Sequence, residues 1–169
     1  MKKDAQQSDH TSLLDAVAIL DMETVLRKSE AAQSIREQID DKREQYQADI
    51  QGLEETLRST EGALAKQKSV LSEEAFAEKR KSFEKDIIEA QKDIQRKRMA
   101  LERAFNEAMS KLRAELVKIV AEMADEKGVD LVLSRQHVVI VDSDLDLTEQ
   151  AMKALDEKVK NVEVTISEE

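Results

Sequence analysis

The sequence predicts an α+β fold that is predominantly α: a long antiparallel helical-hairpin arm on a small β body that oligomerises. Three observations carry this. The 169 residues include no proline and three glycines, and without proline's missing N–H and ring clash a helix can run uninterrupted for many turns. Apolar residues repeat every seven positions over two long stretches that meet near Ser72. After Gly128 the period of the apolar pattern drops to two, which is the period of a strand.

Residues 1–14 are polar and aperiodic and read as a disordered tail. Ala16-Val17-Ala18-Ile19-Leu20 is a short apolar run ended by Asp21, the pattern of a buried strand. From about Glu23 to Leu71, Val25, Ala32, Ile39, Tyr46 and Leu53 form one seven-spaced series, and Ile50, Leu57, Leu64 and Leu71 a second offset by four. Steps of three and four put both series on one face, the seam of a coiled coil. Gly52 and Gly62 fall within this helix, and each costs about 1 kcal/mol relative to alanine. Ser72-Glu73-Glu74 then supplies an N-cap and two acids for the next helix dipole. The second helix is expected over Glu73 to about Lys127, with Phe76, Phe83, Ile87, Ala90, Ile94, Leu101, Phe105, Ala108, Leu112, Leu116, Ile119 and Met123 as its stripe. Two heptad helices joined by a capped turn fold back most simply as an antiparallel hairpin, with its tip near 69–75. At 1.5 Å per residue such an arm reaches roughly 70–80 Å.

Gly128 is a natural helix C-cap. Val129, Leu131 and Leu133 then alternate as a strand, and His137-Val138-Val139-Ile140-Val141 is expected to form another after a hairpin-length connection. Thr148 is expected to cap a last helix to about Lys160, and Val162-Glu163-Val164-Thr165-Ile166 alternates as an edge strand or frayed end. The expected division is therefore 15–28 with 128–169 as a β-rich oligomerisation body, and 29–127 as the coiled-coil arm.

Composition narrows the function. Charged residues make up 38% and aromatics 2%, so the chain must bury aliphatic stripes rather than a thick aromatic core. Net charge is −10, and residues 128–169 carry ten acids against four bases. Such a chain repels nucleic acid, whose binding needs many phosphate-neutralising cations. There is no cysteine, which excludes disulfides and thiolate chemistry and leaves the redox compartment open. No apolar run approaches the roughly 20 residues of a membrane helix. Met1-Lys2-Lys3 and the residues to Thr11 lack the apolar stretch of a secretory signal, so the chain reads as staying where it is made, or as a mature or recombinant form. His10 and His137 have no nucleophile or metal partner at useful spacing, and no glycine-rich phosphate loop is present. Neither catalysis nor a cofactor or metal is expected.

Short strands and one small helix cannot bury a self-sufficient core. Association is the remedy, through Val17, Ile19, Val129, Leu131, Leu133, Val138 and Ile140. Periodicity alone does not give the number of copies.

The order strand, long hairpin, strands and short helix resembles the Skp/OmpH family of periplasmic chaperones. Val17-Ala18-Ile19-Leu20-Asp21-Met22 with Val25-Leu26 looks like the family's opening segment, and Leu71-Ser72-Glu73-Glu74-Ala75-Phe76 like its hairpin turn. Lys127-Gly128-Val129-Asp130-Leu131-Val132-Leu133 resembles its second strand, and Asp146-Leu147-Thr148 the start of its closing helix. The resemblance spans roughly 15–160. It implies a homotrimer whose strands form a small barrel, with arms enclosing a cavity that holds unfolded outer-membrane proteins in the periplasm without ATP. This chain is acidic, whereas well-known members are basic.

On that reading the candidate client contacts are Val70, Leu71, Met99 and Met109, off the stripe or near the tip, together with Phe76. Phe76, Phe83 and Phe105 also fit as plain coiled-coil core. Arg96, Lys97 and Arg98, with Lys79, Arg80, Lys81, Lys85 and Arg103, are candidate contacts for lipid phosphates or acidic clients; the same residues fit a solvated face paired with glutamates. The alternatives are a non-catalytic coiled-coil scaffold or spacer, and a cytosolic tentacle chaperone resembling prefoldin.

Overall fold

The computed structural model describes residues 16–167. The tail expected over 1–14, His10 included, lies outside the described residues. Strand β1 (Val17–Leu20) leads into helix α1 (Met22–Lys28), the long helices α2 (Glu30–Gln67) and α3 (Glu73–Lys127), strand β2 (Leu131–Ser134) and helix α4 (Thr148–Lys158). Residues 16–35 and 108–163 form one compact unit, the body, and residues 36–107 and 164–167 another, the arm. Helices α2 and α3 contribute to both.

In the body, β1 pairs in parallel with β2, Val17 opposite Leu131 and Ile19 opposite Leu133. On the other side of β1, Ile19 bridges Asp146, and the Leu147 N–H donates to the Ile19 carbonyl at 2.9 Å. A strand flanked on both sides should be apolar on both faces, and Ala18, Ile19 and Leu20 are all buried. Around it pack Val25 and Leu26 of α1, Ala31, Ala32 and Ile35 of α2, Leu112, Leu116, Ile119 and Val120 of α3, and Ala151 and Leu155 of α4.

Polar side chains, some local and one from far along the chain, close the helix ends of the body. The Asp21 carboxylate accepts from the Thr24 N–H at 2.9 Å and from its hydroxyl at 2.7 Å, capping α1. Asp156 accepts from the Glu30 N–H at 2.8 Å, so α4 supplies a cap for α2 and satisfies a donor that a helix leaves orphaned. Ser29, fully buried between α1 and α2, accepts from the Ala32 N–H at 3.4 Å. Helix α3 ends at Gly128 with φ +67°, where the Val129 N–H reaches the Ala124 carbonyl and the Gly128 N–H the Asp125 carbonyl, the paired bonds of a Schellman turn.

The arm is an antiparallel helix pair. Lys79 donates to Gln67 at 2.7 Å and Lys97 to Asp49 at 3.0 Å. The two pairs lie eighteen residues apart on each helix, counted in opposite directions, so the register does not slip between them. At the turn, the Ser72 hydroxyl accepts from the Ala75 N–H at 3.3 Å, the expected cap. Helix α2 stops at Gln67, four residues before the end of its heptad series.

Three expectations need correction. No strand forms over His137–Val141: residues Arg135–His137 make a 3₁₀ turn, and Val139 and Ile140 are 96% and 90% exposed. A strand needs a neighbour to take its backbone hydrogen bonds, and the single chain offers this segment none. The body is accordingly more helical than strand-rich. Of the two readings for residues 162–166, edge strand or frayed end, the edge strand does not form, and the tail from Val164 groups with the arm. Finally, Thr148 does not cap its own helix. Its hydroxyl accepts from the Asp21 N–H at 2.9 Å, tying α4 to the end of β1, while Asp146 accepts from the Thr148 N–H at 3.0 Å.

Candidate functional site

The arm changes character along its length. Ile39, Tyr46, Ala90, Ala100 and Ala104 are buried. Between residues 47 and 89 no residue is buried, and Leu53, Leu57, Leu64, Phe76, Phe83 and Ile87 are all only half-covered. Two isolated helices cannot enclose large side chains from every direction, so a wide apolar stripe on each keeps its flanks open.

Where small alanines let the helices close, a cleft of about 610 Å³ opens beside the seam. Ile39, Tyr46, Ile50, Leu101 and Phe105 supply its apolar wall, and Arg36, Arg43, Lys97 and Arg98 its cations. Two ammonium groups, Lys42 and Lys97, each lie 5.1 Å from the Tyr46 ring centroid, within the range for attraction to a ring face. Lys97 occupies a seam position, seven residues after Ala90 and seven before Ala104. Its side chain is 14% exposed and pairs with Asp49 at 3.0 Å and Asp93 at 3.5 Å. The hydrogen bond to Asp49 raises its pKa, partial burial opposes this, and the Asp93 charge adds to the rise.

The three candidate cations thus differ. Arg96 bonds Asp93 on its own helix at 3.1 Å, Lys97 is engaged in the seam, and Arg98 lines the cleft. Lys85 and Arg80 pair with glutamates one turn on. Among the candidate client contacts, Val70 and Met99 are exposed, and Leu71, Phe76 and Met109 half-buried. Val70 and Leu71 sit at the turn, while Met99 and Met109 lie on α3. Among the association candidates, Ile19 is buried within the single chain, Val17, Val129 and Val138 are half-buried, and Leu131, Leu133 and Ile140 are exposed.

A carboxylate and hydroxyl network in the body holds α1, β2's exit and α4 together. Hydrogen bonds from the Thr24 backbone and hydroxyl lower the pKa of Asp21. For Asp146, burial pushes upward, but bonds from Thr148 and the Arg135 charge outweigh it and the pKa is lowered. Arg135 meets Asp146 at 2.8 Å. Both carboxylates are therefore firmly ionised near neutrality and act as anchors. Among the described residues no group of three or more His, Cys, Asp or Glu side chains is arranged to hold a metal ion.

Sequence reasoning missed the Tyr46 cleft and the seat of the C-terminal tail. The first had a signal: Lys97 interrupts the series Phe83, Ala90, Ala104 at a seam position, where a lysine must find a partner. The second had only the alternation of Val162, Val164 and Ile166, which does not say what the apolar face meets.

These features define a protein with a long helical hairpin and a small mixed body. The chain belongs to the OmpH-like outer membrane protein family, which matches residues 16–155. Its fold is similar to the crystal structure of a candidate outer membrane chaperone (OmpH-like) from Caulobacter crescentus CB15, with a TM-score of 0.83, 18% identity and 90% of each chain covered. No curated protein matches the chain.

Proposed function

We propose that this protein is an ATP-independent holdase that keeps unfolded outer-membrane proteins soluble in the periplasm, working as a homotrimer whose arms surround the client. One observation carries the reading: the long stretch of arm from residue 47 to 89 without a buried residue. Apolar side chains there are strung out along a rod rich in Glu, Lys and Arg. Many weak contacts of this kind suit a client that must stay mobile, because fixing each backbone residue would cost about 1–2 kcal/mol. Several arms raise the effective concentration of such contacts, so poor individual affinities add up to useful retention. The family membership and the likeness to an OmpH-like structure support the same reading.

The test is suppression of aggregation when a urea-unfolded outer-membrane β-barrel is diluted into buffer without nucleotide. Suppression at near-stoichiometric ratio is expected. Continued aggregation at tenfold excess, or equal binding of folded and unfolded protein, would overturn the proposal.

A further inference from the structure

The C-terminal segment lies extended on the arm. Its half-buried and exposed residues alternate: Val164 and Ile166 face inward, and Glu163, Thr165 and Ser167 are exposed. Gln38 of α2 accepts the Val164 backbone N–H at 3.1 Å, and Arg103 of α3 reaches the Ser167 carbonyl at 3.5 Å. Gln38, Asp41, Lys42 and Gln45 of α2 line a shallow groove together with Val164 and Ile166, which form its other wall. The helices thus bond this segment through its backbone and half-cover every second side chain. Such recognition reads an extended alternating chain and little of its sequence.

We propose that this groove is a client subsite, and that the tail is a resident stand-in which an unfolded β-barrel strand displaces. Strands of outer-membrane barrels alternate apolar and polar residues over about ten positions, the pattern that Val164, Thr165 and Ile166 present in miniature. A tethered segment sees its seat at an effective concentration of roughly millimolar, so the tail fills the groove when no client is present and yields to a longer chain that also touches the distal arm. The inference rests on the holdase reading and adds a site and a competitor to it.

The experiment compares the full chain with a form ending at Glu163, which keeps the body's bond between Ser34 and Asn161, and with the full-length double variant Val164→Asp, Ile166→Asp. Binding of a urea-unfolded outer-membrane β-barrel is measured alongside binding of a fluorescein-labelled peptide of residues 161–169. Apparent affinity falls in proportion to the fraction of open sites, so both altered forms should hold the barrel roughly threefold more tightly or better. The shortened form should also bind the peptide, and the barrel should displace it. Equal barrel affinity in all three forms, or a peptide that the barrel does not displace, overturns the groove assignment and leaves the holdase reading standing. A barrel held by none of the three overturns the holdase reading itself.

Discussion

Val139 and Ile140 offer the sharpest test of association. They are 96% and 90% exposed in the single chain, and β2 nearby leaves Leu131 and Leu133 50% and 38% exposed. Fully burying an aliphatic side chain of this size contributes about 1.5–3 kcal/mol. Two nearly bare side chains therefore offer about 3–6 kcal/mol per chain to an interface. At about 1.4 kcal/mol per tenfold, replacing both by aspartate should weaken association by roughly two to four orders of magnitude per interface. The double variant Val139→Asp, Ile140→Asp should elute as a single chain in size-exclusion chromatography with light scattering at concentrations where the unaltered protein is expected to associate. Its far-UV circular dichroism at low temperature should keep the helical signal, because neither residue is part of the chain's own core. Ile88→Asp, an exposed position on α3, is the control and should leave the copy number unchanged. If the double variant keeps the same copy number across the concentration range, the segment after the 3₁₀ turn does not form the interface, and the argument from exposed β-branched residues fails.

Three further outcomes follow from the packing. Leu116→Ala, at a fully buried position in the body, should lower stability by about 2–5 kcal/mol in urea unfolding; a loss under 1 kcal/mol would mean the site collapses or was never packed. Asp21 and Asp146 both have folded pKa values below 3.8, so their contribution is complete above that value and is lost as pH falls through the lower folded values. Thermal stability should accordingly hold down to about pH 5 and decline below about pH 4, with a shallower decline in Asp21→Asn, and a profile identical in the two proteins would refute the linkage. Lys97→Met keeps the aliphatic stem against Tyr46 and removes a charge whose partner Asp49 is itself well exposed, so it should be neutral or stabilise by about 1 kcal/mol; destabilisation as large as that of Lys97→Ala would show that the ion pair, not the stem, holds the seam.

Much of this was legible in the sequence where local chemistry and global structure agree. The seven-residue series, Ser72 and Gly128 gave α3 its ends at Glu73 and Lys127 because cap, dipole and period all point to the same residues. The hairpin's antiparallel sense followed from the same break. Legibility failed where a partner far along the chain decides the outcome. His137–Val141 has the composition of a strand, but composition does not supply the neighbour that a strand requires. Thr148 has the composition of a cap, yet Asp21, 127 residues away, claims its hydroxyl. Lys97 looked like one member of a basic cluster until the register set it beside Asp49 and Tyr46.

The seam is tight around Tyr46 and Ala100 and open further out. The constant register sets Ala100 level with Tyr46, and a small residue facing a large one lets two helices approach closely, so both are buried. Further out, Leu53, Leu57, Leu64, Phe83, Ile87 and Ile94 lie along the seam, and every one stays half-covered. A single exposed patch of the same total area would drive the protein into its own aggregates. A line of half-covered side chains flanked by Glu, Lys and Arg avoids that, because a partner gains enough only by lying along the rod and touching many of them. An unfolded chain is long and pliable enough to do so. A folded globule meets the rod at one point and gains little. On the proposed holdase reading, the same spacing that leaves the arm loosely packed is what favours unfolded partners over folded ones.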